Sequence, residues 1–378
     1  MSLTQSSKSS NNNLASPFQG GLRGAIKILH VITSLRTGGA EHLMVDLLPR
    51  LRDLGNEVEL LVFDGTRTAF YEELEQMGIT IHSLGIGSNV YHPRNMFKLR
   101  KFVAKYDIIH THNTACQLFV PVAKILKCSK AKLVTTEHNA TNRRRGKWYL
   151  KLIDKWMYAQ YNHIICIAGQ TYTNLVDYIG QKPNISTIFN GVSIERFLLP
   201  INSISDKKDF FITMVSAFRD QKDQDTLVKA IKELPDNYRL QLAGDGVRRP
   251  KVEELARSLG VADRVDFLGI RTDIPEILKS SDIVVLSSHW EGLSLSSIEG
   301  MASGRPFIAS DVDGLHEIVK GAGILFPHGD YKQLAKEIRQ VCSTPVHYNV
   351  VAHECQERAK QYDISIMAEK YNQLYKSL

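Results

Sequence analysis

At 378 residues, with 43% apolar and 23% charged side chains, the chain has an ordinary globular composition and room for two separate cores. No apolar run approaches the ~20 residues of a membrane-spanning helix, so a soluble protein is expected. The five cysteines are odd in number and lack C-x-x-C spacing, which argues against zinc and a disulfide framework and fits free thiols in a reducing cytoplasm. The net charge of +7 is uneven: residues 1–200 hold 24 basic and 14 acidic residues, and the rest hold 23 and 26.

In chain order, residues 1–24 are rich in Ser and Asn, lack the apolar core of a signal peptide, and read as a disordered tail. From residue 25 to 195, apolar runs such as IKILHVI, EVELLVFD, DIIHTH, KLVTTEH and HIICIA alternate with amphipathic helical patterns, among them AEHLMVDLLPRLRDLG and PRNMFKLRKFVAKY. Strand-helix alternation predicts a doubly wound parallel sheet. Gly38 and Gly39 follow the first strand without a G-x-G-x-x-G pattern, which counts against a dinucleotide cofactor. His112 and His138 end two of these strands, where ligands bind in open α/β sheets, although a lone histidine is more often structural. His110, one pleat away, is read as structural.

The densest basic run places Arg143, Arg144, Arg145, Lys147, Lys151 and Lys155 among Trp148, Tyr149, Leu150, Leu152 and Trp156. It reads as a solvated helix face or as an interfacial patch for anionic lipid or a lipid-phosphate acceptor. No recognition motif accompanies the charge, so nucleic acid is not the expected partner.

The alternation lapses across 196–208, the expected linker, and restarts over 209–344 with FFITMVSA, YRLQLAGDG, RVDFLG, DIVVLSS, PFIASD and GILFP as strands. Residues 345–378 are helical by pattern and are expected to pack back on the first domain. Between DIVVLSS and PFIASD, Glu291 and Glu299 lie eight apart on a strand-to-helix connection. A helix starting near Ser294 to Ser296 would aim backbone N–H groups and a positive dipole end at a phosphate. Ionised carboxylates accept hydrogen bonds from paired hydroxyls, so a sugar and a ribose joined by a diphosphate satisfy the segment. A capping acid plus a surface acid is the alternative.

This segment, EGLSLSSIEGMASGRPFIASD, resembles the E-x7-E motif of the retaining glycosyltransferases of family 4 (group 1). GGAEH, DIIHTHN, TTEHN, IFNGVSIERF, FRDQKDQDTLVKAI, LAGDG, FLGIRTDIPEIL and GAGILFPHGD agree in the expected order. The resemblance implies a GT-B fold: two Rossmann-like doubly wound domains facing across a cleft, acceptor site in the first and donor site in the second. It implies Glu299 on the donor ribose, Glu291 beside the transferred sugar, and backbone N–H groups of Gly292, Leu293 and Ser294 on sugar and phosphate. Lys222 matches the lysine that neutralises the diphosphate. The partner arginine is replaced by Ala217, and Arg219 is the candidate substitute. Gly38, Gly39, Gly244 and Arg271 fall on the donor side, His112 on the transferred sugar, and His138 with Arg143, Arg144, Arg145, Lys147 and Trp148 toward the acceptor or membrane.

The activity implied is retaining transfer from a nucleotide sugar, UDP-linked first and GDP-linked next, to a glycan or lipid-linked acceptor in surface polysaccharide or glycoconjugate biosynthesis. No metal and no cofactor are expected, and the enzyme is expected in the cytoplasm or peripheral on the inner membrane face. A sugar-nucleotide epimerase of the same fold and a non-catalytic sugar-binding protein are the alternatives.

Overall fold

Strands of a parallel sheet covered by helices on both faces meet apolar neighbours above and below, which is why they carry unbroken β-branched runs. The computed structural model describes residues 25–36, 38–87, 89–138, 148–202, 204–205 and 207–378. The expected tail, and Arg143, Arg144, Arg145 and Lys147 of the basic run, lie outside the described residues.

The first sheet contains β1 (Lys27–Ile32), β2 (Glu57–Val62), β3 (Thr80–Ser83), β4 (Ile108–Thr111), β5 (Lys132–Glu137), β6 (His163–Cys166) and β7 (Ile185–Thr187). Its order is β3-β2-β1-β4-β5-β6-β7, all parallel. Between these strands run α1 (Gly39–Asp53), α2 (Ala69–Gln76), α3 (Arg94–Leu99), α4 (Thr114–Lys127), α5 (Trp148–Ala159) and α6 (Gly169–Ile179). The second sheet contains β8 (Phe210–Val215), β9 (Tyr238–Ala243), β10 (Val265–Gly269), β11 (Ile283–Leu286), β12 (Phe307–Ser310) and β13 (Ile324–Phe326), in the order β10-β9-β8-β11-β12-β13. Its helices are α7 (Gln224–Glu233), α8 (Arg249–Ser258), α9 (Ile274–Ser280), α10 (Leu295–Ala302), α11 (Leu315–Val319) and α12 (Tyr331–Ser343), followed by α13 (Pro345–Lys360) and α14 (Ile364–Ser377). Strand order reverses beside β1 and beside β8, so each sheet has a switch point where a ligand crevice opens. The fold is of GT-B type.

Two sequence expectations are corrected. The helix expected across PRNMFKLRKFVAKY ends at Leu99, because the Lys101, Phe102 and Lys105 N–H groups turn to carbonyls three residues back rather than four. The C-terminal tail does not pack on the first domain as a whole. Helix α13 stays on the second core through Tyr348, Val351 and Cys355, and only α14 crosses, burying Met367, Tyr371 and Tyr375 in the core under α1. The Ile167 and Ala168 side chains, just past β6, join the second domain's apolar cluster, so the two domains share packed surface.

Candidate active site

Helix α10 begins where the sequence places it, with Ser294 as the extended N-cap residue. No side chain caps it; the Ser294 hydroxyl bonds that of Ser296 at 3.0 Å. The preceding loop is fixed by Gly314, whose φ of +81° and position 2.1 Å from the Gly292 carbonyl, measured from a notional Cβ, leave no room for a side chain. A notional Cβ on Gly292 comes 3.9 Å from Ile167 Cδ1, so this loop faces the first domain. Leu293 and Ser294 are buried.

The two glutamates have opposite surroundings. Glu291 is ion-paired with Lys222 and accepts from Ser288 Oγ at 2.7 Å and Gln221 Nε2 at 3.0 Å. An antiparallel bridge between Lys222 and Ser288 brings these groups together, and Ser310 Oγ holds Ser288 from below. Glu299, only 8% exposed, has no hydrogen-bond or ion-pair partner among the described residues. Burial raises its carboxyl to about 7; the Asp46 carboxylate of α1 adds to the rise and the Arg196 guanidinium opposes it. A buried acceptor without donors is costly, and a ligand bringing hydroxyl groups would relieve that cost.

The other candidates divide. Gly244 requires its glycine: φ is +141° and a Cβ would sit 2.0 Å from the Ser216 carbonyl oxygen. Arg219 is exposed, and its carbonyl accepts from the Lys222 N–H at 2.9 Å. Arg271 pairs with its own loop neighbour Asp273, an arrangement that satisfies the turn. Gly38 is the extended N-cap residue of α1, with the Glu41 carboxylate folded against it; Gly39 borders open space. Burial raises the Glu41 carboxyl pKa.

His112 is not a lone residue. Its Nε2 shares a 2.9 Å hydrogen bond with His30 Nδ1, and its Nδ1 shares one of 3.1 Å with His138 Nε2. His110 stacks on His112 with ring centroids 4.4 Å apart, and uses both its nitrogens, one with the Tyr375 hydroxyl at 2.5 Å and one with Thr136 Oγ1 at 2.8 Å. Burial keeps all four rings neutral: His30 falls to about 3, His138 to about 4, and His110 and His112 lie well below the usual range. With both nitrogens of His112 engaged, His138, partly exposed, has a second nitrogen with no partner among the described residues. A cavity of about 230 Å³ opens there, lined by Thr33, Tyr91, His112, Asn113, Glu137 and His138.

His30, Gln221, Ser288, Asp46 and Arg196 escaped the sequence reading. His30 was discoverable from strand register, since it lies opposite His110 on β1 and β4. Two histidine-containing groups among the described residues could hold a metal, His30-His110-His112 and Asp223-His289-His328. In the first the rings bond one another or Tyr375 and Thr136, and in the second Asp223 caps α7 through Thr226.

On α5, Trp148, Tyr149, Leu152, Ile153 and Trp156 are exposed, while Asp154 turns inward to accept from the Tyr178 hydroxyl at 2.9 Å. No helix among the described residues is long and apolar enough to cross a membrane.

Residues 37–196 match the family described as Glycosyltransferase Family 4, and residues 198–362 match Glycosyl transferases group 1. The UDP-Gal:alpha-D-GlcNAc-diphosphoundecaprenol alpha-1,3-galactosyltransferase of Escherichia coli is 28% identical over 304 residues, 74% of this chain and 78% of that one. The lipopolysaccharide core biosynthesis glycosyltransferase LpsD of Rhizobium meliloti is 27% identical over 332 residues, 85% of this chain and 89% of its own. Among solved structures, Anabaena HepE in complex with UDP superposes with a TM-score of 0.82 at 22% identity, covering 93% of this chain and all of that one.

Proposed function

The chain belongs to the family 4, group 1 glycosyltransferases, and from that premise we propose that it moves a sugar from a nucleoside-diphosphate sugar to a glycan or lipid-linked acceptor with retention of configuration. The observation that carries the reading is the contrast at α10: Glu299 is buried without a donor among the described residues, while Glu291 is held against Lys222 one turn before the helix start. Ribose hydroxyls would supply the donors that Glu299 lacks. The diphosphate would lie against the α10 N-terminus and Lys222, whose ammonium has three N–H groups and needs only one for Glu291. Gly38 and Gly39 would border it from the first domain, and Arg219 would reach it by moving its exposed side chain.

The developing charge is on the leaving diphosphate, so fixed donors are the catalyst this reading requires, without a metal or cofactor. Glu291, engaged by three donors, is poorly placed to become a covalent nucleophile. That supports departure and attack on one face of the sugar, the acceptor hydroxyl losing its proton to the leaving phosphate. UDP is the preferred nucleotide and GDP the next, by analogy with the UDP-Gal and UDP in the names of the relatives. The diphosphoundecaprenol and lipopolysaccharide in those names support a lipid-linked or glycan acceptor, and the apolar, basic face of α5 supports work on the inner face of an anionic membrane.

A panel of UDP- and GDP-sugars tests the donor by thermal shift, because a ligand that binds only the native state raises its stability. A shift with one nucleotide series, and nucleotide release that requires an acceptor, is expected. Isomerisation of the donor sugar without an acceptor would point to an epimerase, and no shift with any nucleotide sugar would remove the reading.

A further inference from the structure

Three rings in series, His30, His112 and His138, run from the centre of the first sheet to the mouth of its cavity. Each is held neutral by burial, so each has one N–H and one lone pair. Two bonds then admit only two concerted arrangements. Either every ring donates outward, His30 Nδ1–H to His112 Nε2 and His112 Nδ1–H to His138 Nε2, or every ring donates inward. The inner end decides between them. His30 Nε2 is buried and has no partner among the described residues. Inward donation would put an unpaired N–H there, whereas outward donation leaves only a lone pair, and a buried orphan donor is the rarer and costlier of the two.

We propose that His30 is a positioning residue that sets this relay outward, so that His138 presents Nδ1–H, and not a lone pair, to the cavity. A free imidazole offers either nitrogen as donor; here the choice is made about two rings away. The cavity is thereby supplied with a fixed neutral donor beside the Glu137 carboxylate, which already accepts from Gln117 and Tyr158. That pairing suits a sugar hydroxyl, which accepts from His138 while its own O–H stays free to donate. The relay stands on the ring geometry and on the neutrality that burial imposes; its consequence for transfer rests on the function proposed above.

Nitrogen-15 spectra of histidine-labelled full-length protein read the tautomers without any substrate. His30, His112 and His138 are expected in the Nδ1–H form at pH 7. His30→Asn, whose amide nitrogen replaces Nδ1 as donor, should keep His138 in that form; His30→Leu should release it. An Nε2–H form of His138 in the wild type, or an unchanged His138 in a folded His30→Leu variant, would overturn the relay. Once a donor sugar is identified, His30→Leu should lower kcat about tenfold, the worth of one hydrogen bond, with nucleotide affinity unchanged and the loss restored in His30→Asn. Unaltered kcat alongside shifted tautomers would overturn the positioning role while leaving the donor assignment untouched.

Discussion

Three donors hold Glu291 and, among the described residues, none holds Glu299, eight residues on, so the two acids should fail in different ways. Glu291→Gln keeps the shape and loses the charge that the proposed function sets beside the transferred sugar; turnover should fall on the order of a hundredfold with nucleotide affinity little changed. Steady-state kinetics beside a UDP titration check this, and wild-type turnover contradicts it. Lys222→Ala should lower both nucleotide affinity and Tm, because it removes the proposed diphosphate partner and leaves a buried carboxylate with two neutral donors. The spacing of the acids and the lysine was legible in the sequence. Their coupling was not, because Lys222 and Glu291 meet through a bridge between segments 66 residues apart. His112 was legible as a strand-end histidine, but its partners lie on β1 and just past β5.

Elements were legible where the pattern was long and apolar, as in β1, β11 and α1, and less so where a turn pattern mimics a helix, as after Leu99. The crossing of α14 rests on tertiary contacts that periodicity does not encode: Tyr375 to His110 and Tyr371 to Thr136 at 3.0 Å. Tyr375→Phe leaves the packing and removes the hydroxyl from a buried histidine, so it should cost about 1 kcal/mol, read as a lower Tm. An unchanged Tm would mean that this bond adds nothing net. Helix α5 makes a separate prediction. Its exposed tryptophans and Lys151 and Lys155 should bind anionic vesicles at low salt and release them at high salt. Equal recovery with neutral vesicles, or no loss on replacing Trp148 and Trp156 by Ala, would leave it a solvated helix.

At the scale of the molecule, two sheets in series were legible from strand-helix alternation, whereas the faces they share were not. The histidine cluster should make the whole fold acid-sensitive. Unfolded imidazoles bind protons near pH 6.5 and these four do not until far lower pH, so the unfolded state takes up more protons and stability falls as pH drops below 6.5. Each uncoupled ring contributes about 1.4 kcal/mol per pH unit in that window, and coupling among them reduces the total. Glu299, raised to about 7, and Glu41, also raised by burial, act in the opposite direction over part of the range but are two groups against four. Melting curves should therefore fall steeply from pH 6.5 to 5; a flat Tm would show that the rings are solvated.

Glu299 is also where the domains meet, since its surroundings include Asp46 of α1 and Arg196 at the start of the linker. Titrating UDP into wild type and Glu299→Ala at pH 6 and pH 8 tests directly that a nucleotide lies in this cleft with its ribose on that carboxylate. With a free-state value of about 7, the acid is mostly protonated at pH 6 and ionised at pH 8, so its contribution to wild-type affinity should rise about tenfold between them, with a proton released on binding. In Glu299→Ala affinity should drop by on the order of 1 to 3 kcal/mol at pH 8, and only the pH dependence of the nucleotide's own phosphate should remain. Equal affinity and equal pH dependence in the two proteins would contradict the assignment of Glu299, and with it the placement of the nucleotide between the sheets.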